Sequence, residues 1–355
     1  MSKLLIAGAG GAPSEGVIRS LQQASDDDEV IGMGSEPFDL VLSAAHRKYN
    51  IPYSYEPTYK EMLLRLLNKE RPDLVHFQND REIFEASILR KEILATGAKL
   101  FMPPHETVDT CVDKYKSYSV WMREGVRVPK NLFIRDHHDL KRAFDTLANQ
   151  QGMLWLRFST IGGGGKGALP TNDYEFAKGW IDRCQGWGQF TAAEMLTADT
   201  VTWLSIWHEG ELVVAQSRRR IGWVHGNRSV SGVTGVTKVG ETCRSDTVNR
   251  VALDAIRTID ARPHGIFGVD MTYDSSGFPN PTEINISRFF TTILFFTEAG
   301  LNMPKIFADI ALYEKFPVLE QKINPLPEGM LWCRGMDTKP RLMTRDQVER
   351  ELLTP

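Results

Sequence analysis

The stretch GIFGVDMTYDSSGFPNPTEINISRFF, from Gly265 to Phe290, constrains the fold more than any other part of the chain. Two strand-like runs, Ile266 to Tyr273 and Thr282 to Ile286, flank a connection rich in Ser, Gly, Pro and Asn. That pattern predicts a β-hairpin with a somewhat long turn. Folded about Ser276–Gly277, the hairpin sets Asp270 across from Glu283, and strand alternation puts Asn285 on the face of Glu283. Carboxylates directly opposed on a sheet face destabilise it, so the pair is expected to share a cation. A hard divalent ion with oxygen ligands, such as Mg2+ holding phosphates, suits it. A hairpin whose acids both face solvent, or a register that separates them, is the alternative.

At 355 residues the chain exceeds one ordinary core, so two or three domains are expected. Its 42% apolar and 25% charged content is that of a soluble globular protein. A formal net charge of −3 gives no reason to expect nucleic acid or membrane as a partner. Cys111, Cys184, Cys243 and Cys333 are scattered, without a C-x-x-C pair, and read as reduced thiols. The opening MSKLLIAGAGG lacks the apolar core of a signal peptide, and no apolar run approaches transmembrane length. A cytoplasmic protein is expected.

Residues 1–110 alternate short apolar runs with amphipathic segments. Lys3 to Ala7, Val30 to Met33 and Asp73 to Phe77 read as strands, and Ser14 to Gln23 and Tyr59 to Lys69 as helices. This βαβ rhythm predicts a small, doubly wound parallel sheet. The turn Gly8-Ala9-Gly10-Gly11 invites a dinucleotide reading, but Pro13 stands where G-x-G-x-x-G needs its third glycine. After Met102-Pro103-Pro104, an amphipathic helix is predicted to run to Gly125. Residues 111–190 hold the strand Met153 to Phe158 and a glycine-rich loop. Residues 191–320 are strand-rich, contain the hairpin and end in the helical run Pro304 to Lys315. Residues 321–355, with Pro325, Pro327 and Pro340, read as an appendage.

Two further features suit anions. In the loop from Arg157 to Gly167, four consecutive glycines (Gly162, Gly163, Gly164, Gly165) let backbone N–H groups close on a phosphate. Lys166 and Arg157 add fixed positive charge. The cluster Arg218-Arg219-Arg220 ends an apolar strand, and alternation turns Arg218 and Arg220 to one face. A solvated strand edge with guarding charges is the alternative. His225 and Arg228, on the loop that follows, are candidates for substrate contact. Trp203, Trp207 and Trp223 read as core.

Together these pieces resemble the ATP-grasp superfamily over about residues 1–320, most closely its carbamoyl-phosphate-synthase-like branch. The resemblance is carried by Asp113-Lys114 opening a helix that closes in Gly-Val-x-Val-Pro, and by a strand ending in Arg157 before a glycine loop. Glu194 in AAEML and the closing D-x12-E-x-N of Asp270, Glu283 and Asn285 complete it. It implies an α/β chain in which an N-terminal Rossmann-like pre-ATP-grasp domain precedes a two-subdomain ATP-grasp fold. Lys114 and Arg157 would contact the nucleotide phosphates, with Gly162–Gly167 as a lid. Glu194 and the backbone of Met195 and Leu196 would meet the adenine. Asp270, Glu283 and Asn285 would hold one or two Mg2+ ions, with Mn2+ as a substitute. Arg220, with Arg218, would meet the γ-phosphate or an acyl-phosphate oxygen.

Two positions depart from the family pattern. The ribose-contacting glutamate is absent, leaving Asp199 and Thr200 as candidates. The arginine expected two places after Asn285 stands three places after it, as Arg288, and one residue of shift in a strand turns a side chain to the other face. The resemblance implies an ATP-dependent carboxylate–amine ligase. Its substrates would be small molecules, an amino acid among them, and a homodimer is the base-rate expectation. A non-catalytic nucleotide-binding protein on the same fold is the rival reading. A nicotinamide oxidoreductase resting on the GAGG turn lacks its fingerprint.

Overall fold

The computed structural model describes residues 2–160, 167–335 and 341–347. Strands β1 (Lys3–Ala7), β2 (Glu29–Gly34), β3 (Arg47–Asn50) and β4 (Leu74–His76) form a parallel sheet in the order β3-β2-β1-β4. Leu4, Leu5 and Ile6 are all buried, as a parallel strand covered on both faces requires. The turn after β1 holds Gly8 and Gly10 at φ +67° and +91°. A Cβ on Gly10 would stand 2.1 Å from the Asp39 carbonyl oxygen, so the glycines here serve a tight strand-to-helix turn.

The single helix expected before Gly125 is two, His105–Val112 and Lys114–Arg123. Asp113 breaks it with extended backbone, and its side chain accepts from the N–H groups of Tyr115 and Lys116. An N-cap aspartate offers those donors what a continuing helix would. The break also fixes Lys114, whose N–H donates to the Ser159 carbonyl at 2.8 Å.

Strands β5 (Asn131–Ile134), β6 (Leu154–Phe158), β7 (Leu169–Thr171) and β8 (Phe190–Glu194) make an antiparallel sheet in the order β5-β8-β6-β7. Ile134, Leu154, Leu156 and Phe190 pack there against Leu140 and Ile181 of two covering helices.

The third sheet joins β9 (Thr200–His208), β10 (Glu211–Trp223), β11 (Thr237–Cys243), β12 (Gly265–Tyr273), β13 (Pro279–Ile286), β14 (Met330–Cys333) and β15 (Arg341–Thr344). Its order is β13-β12-β9-β10-β11-β14-β15, every neighbouring pair antiparallel. The segment after residue 320, read from the sequence as an appendage, thus continues this sheet. Buried Leu331 and Trp332 hold β14 on the β11 edge, which would otherwise present unpaired backbone groups. The helices Ile293–Glu298 and Met303–Tyr313 pack back onto the N-terminal helix Ala12–Ala24. Gly16 permits that approach, since a Cβ there would lie 2.8 Å from the Ile293 side chain. Among the described residues no helix is long and apolar enough to cross a membrane.

Candidate active site

In the β12–β13 hairpin, Asp270 is the direct partner of Glu283, as the sequence pattern predicts. A bulge follows: Met271 pairs with Pro281, leaving Thr282 as the extra residue. The Asn285 Nδ2 group donates to Asp270 Oδ2 at 3.1 Å, which puts the amide on the face of the two acids. The Thr202 hydroxyl donates to Asp270 Oδ1. Among the described residues no group of three or more His, Cys, Asp and Glu side chains comes together. The hairpin instead offers two carboxylates and an amide, a hard-oxygen set suited to an ion that keeps water or phosphate as its remaining ligands.

Cations surround this face. Lys114 Nζ lies 3.2 Å from Glu283 Oε2, and Arg157 Nη1 3.8 Å from the same oxygen. Burial pushes the Glu283 carboxyl up, but Lys114, Arg157 and Arg288 together outweigh it and hold the group down at about 2. Arg157 also donates to the Thr282 carbonyl at 2.8 Å, tying β6 to the hairpin.

Arg288 reaches the site despite its shifted position. The strand stops at Ile286, and Ser287, buried, takes a left-handed φ of +55°. That turn absorbs the extra residue and returns the guanidinium to the acids. Arg288 Nη2 donates to Asn285 Oδ1, and its Nε lies 2.7 Å from Asp80 Oδ1 at the carboxyl end of β4.

The three arginines of β10 alternate. Arg219 points outward to Glu241 at 2.5 Å. Arg218 and Arg220 point inward. Arg220 donates to Thr237 at 3.0 Å and Thr200 at 2.8 Å and stacks over Trp223 at 3.8 Å. Arg218, only 1% exposed, donates to Thr202, Thr237 and Thr292 and lies over the Phe290 ring. No ion pair with a carboxylate is seen for it among the described residues. Burial, reinforced by the nearby Arg220, pushes its guanidinium down to about 9.

Two cavities meet at the acids. One, of about 480 Å3, lies between the second and third sheets, with Tyr118, Trp121, Met195 and Leu196 on its walls. The other, of about 550 Å3, opens toward the N-terminal sheet and is lined by Gln78, Asp80, Arg81, Arg218 and Arg288. Both share Trp155, Arg157, Arg220, Trp223, Asp270 and Glu283. Glu194 lines the first cavity, while its carboxylate accepts the Lys130 N–H at 2.9 Å.

Some expected residues stand elsewhere. Asp199 is exposed and lines neither cavity; Thr197 and Thr200 line the first. His225 and Arg228 are exposed on the loop after β10 and line neither, because that loop brings Ser231, Gly232 and Val233 to the cavity instead. Trp203 and Trp207 are fully buried, but Trp223 is a cavity wall rather than core. Gly162, Gly163, Gly164, Gly165 and Lys166 lie outside the described residues. Gln78, Asp80, Arg81 and Thr202 were not anticipated. For Gln78, Asp80 and Arg81 the available signal was their place just beyond the carboxyl end of parallel strand β4, where open α/β sheets put ligands; Thr202, on antiparallel β9, faces Asp270 across the sheet.

No family model matches the chain, and no curated protein matches its sequence. Solved structures do resemble it. N5-carboxyaminoimidazole synthetase from Staphylococcus aureus, complexed with ADP, superposes at TM-score 0.71 and 14% identity, over 94% of this chain and 82% of that one. A biotin carboxylase from Campylobacter jejuni, in a β-γ-ATP complex, gives 0.68 and 16% over 94% and 75%. An L-amino acid ligase from Bacillus licheniformis gives 0.65 and 13% over 94% and 79%. At these identities the likeness establishes the fold. It is the ATP-grasp architecture, with its βα domain in front, that the motif order resembles.

Proposed function

We propose that the protein is an ATP-dependent ligase that joins a small carboxylate to an amine. The observation that carries this reading is the Asp270–Glu283 pair at the junction of two cavities, ringed by Lys114, Arg157, Arg220 and Arg288. The cavity between the second and third sheets suits the nucleotide: aromatic and apolar walls for a base, with the backbone of Met195 and Leu196 at its edge. The three compared proteins support it, two as nucleotide complexes and one as an amino acid ligase. In this reading residues 1–110 face the acceptor, and 111–190 and 191–320 are the lobes that grip the nucleotide. The strands after 320 finish the second lobe.

Asp270, Glu283 and the Asn285 amide oxygen would hold Mg2+, one ion or two. An ion held by these residues would supply positive charge against the transferring phosphoryl group. Lys114 and Arg157, which balance Glu283, draw the phosphates to the same point. A substrate carboxylate oxygen attacks the γ-phosphorus and ADP leaves, giving an acyl phosphate. An amine then attacks the acyl carbon, phosphate leaves as the C–N bond forms, and the nitrogen gives up its extra proton to the departing phosphate. Arg220 and Arg218 stabilise the charge on the transferred group. No nucleophilic side chain is required.

The test is release of ADP and phosphate from Mg·ATP across pooled amino acids and small carboxylic acids. Release that depends on one pool is expected, and splitting the pool identifies the pair. Thermal stabilisation by Mg·ATP without turnover in any pool would move the protein to the non-catalytic nucleotide-binding class.

A further inference from the structure

Gln78 lies just beyond β4, 3% exposed, on the wall of the cavity that opens toward the N-terminal sheet. Its amide orientation is fixed by its partners. Oε1 accepts the Phe289 N–H at 2.8 Å and meets His76 Nε2 at 2.9 Å. Nε2 is therefore the outlying end, and it has no hydrogen-bond partner. Arg218, on the same wall, also has a buried, unpartnered donor, its Nε. Both side chains are anchored on one short segment: Gln78 on Phe289, Arg218 on Phe290 and Thr292. Arg157, which borders the same cavity, leaves its Nε unpartnered as well. Buried donors are nearly always satisfied in folded proteins, so three orphans on one cavity wall need an explanation. Among the described lining residues, six cationic side chains face three carboxylates. The wall is short of acceptors and of negative charge together.

We infer that this cavity is the acceptor subsite, and that its ligand is a small carboxylic acid carrying a second oxygen acceptor. The carboxylate meets Arg218, and the hydroxyl, oxo or amide oxygen meets Gln78 Nε2. The inference rests on the ligase reading for the identity of the site and adds the chemistry of the substrate. Gln78 becomes a specificity residue supplied by the N-terminal domain. A site built to hydrogen-bond a polar group discriminates strongly against the analogue that lacks it.

The experiment is ligand binding by the full chain, with malate and succinate as a matched pair and lactate and propionate as a second. Each is titrated with and without MgADP and followed by melting midpoint and calorimetry. Wild type is expected to prefer the hydroxy acid by at least about tenfold. Gln78→Glu keeps the acceptor that holds Phe289 N–H and removes the donor. It is expected to erase the preference and weaken both acids, while MgADP affinity changes less than about twofold. Gln78→Met, without added charge, is expected to erase the preference alone. If wild type binds neither pair, or binds both members equally, the inference fails, and it fails too if both variants keep the preference. Loss of MgADP binding by wild type would overturn the nucleotide reading instead, because the nucleotide-free titrations still report on the acids.

Discussion

Asp80 Oδ1 lies 2.7 Å from Arg288 Nε, joining the N-terminal domain to the end of the β12–β13 hairpin. Through Arg288 the contact extends to Asn285, from Asn285 to Asp270, and from Asp270 to Thr202 and Arg218. Asp80→Asn takes from Arg288 its ion-pair partner, leaving only the more distant charges of Glu283 and Asp270, and frees it to rotate from Asn285. Turnover is expected to fall about tenfold, and stability by about 2 kcal/mol, the usual worth of a hydrogen bond to a charged group. Steady-state kinetics and urea unfolding check the two effects. Unchanged kinetics would mean that the hairpin holds its own geometry.

Glu283→Gln removes charge at nearly constant volume. Mg·ATP turnover is expected to drop by at least about 100-fold, the order seen when one preorganised electrostatic group is lost. Circular dichroism should match wild type. The carboxyl is held at about 2 in the folded state, below its ordinary value of 4.5. Its stabilising contribution is thus present above pH 4.5 and lost as pH falls toward 2. The stability gap between wild type and variant should close over that acid window. Near-normal turnover would remove Glu283 from the metal site.

Glu82, 5% exposed, sits in the first turn of the helix after Asn79. Burial pushes its carboxyl up to about 7, against hydrogen bonds from Tyr59 and Asn79 that favour the charged form. A carboxyl held above its unfolded value binds its proton more tightly when folded. Its contribution is greatest below pH 4.5 and is lost as pH rises through 7. His76 runs the other way: burial holds it at about 4, so stability falls as pH drops from 6.5 toward 4. The two slopes overlap and mask each other in wild type. Unfolding of Glu82→Gln beside wild type isolates one of them. The difference should move in the variant's favour by about 3 kcal/mol between pH 4.5 and 7. A difference flat with pH would contradict a buried, protonated Glu82.

Gly10→Ala tests the opening turn. Its φ of +91° and the 2.1 Å approach to Asp39 leave no room for a methyl group. A loss of at least about 2 kcal/mol is expected from strain and displacement together. NADH and NADPH should leave the wild-type melting midpoint unmoved, since the turn's glycines serve packing. A clear shift by either dinucleotide would revive a cofactor role for this domain.

The hairpin was legible because its evidence is local: alternation sets the faces, and the turn residues set the register of Asp270 on Glu283. The inward pair Arg218 and Arg220 followed from the same period-two rule. Arg288 was not decidable from sequence, since its reach depends on Ser287 adopting a left-handed turn that a serine rarely takes. His225 and Arg228 line neither cavity, and loop residues have no period by which to judge direction. Gln78 and Asp80 were invisible for another reason. They meet Phe289 and Arg288 across roughly two hundred residues, and no local pattern reports such a contact.

Neighbouring arginines on β10 supply an internal control. Arg218 and Arg219 differ by one position and therefore by sheet face. Arg219, half exposed, pairs with the buried carboxylate of Glu241, which Arg345 also meets. Arg218 is enclosed, held by three threonine hydroxyls and aimed at the acids through Thr202. A lysine ammonium cannot reproduce that planar fork, whereas on the open face it pairs with Glu241 nearly as well. Arg218→Lys is expected to cut turnover at least about 100-fold and to lower the melting midpoint, since buried hydrogen bonds to the threonines are lost, and Arg219→Lys to cut turnover less than about twofold. Carboxylate KM separates the roles: it should rise for Arg218→Lys and stay level for Arg219→Lys, with ATP KM level in both. Equal losses in the two variants would mean that the strand's charge, not its inward face, matters. An unimpaired Arg218→Lys would take Arg218 out of the site.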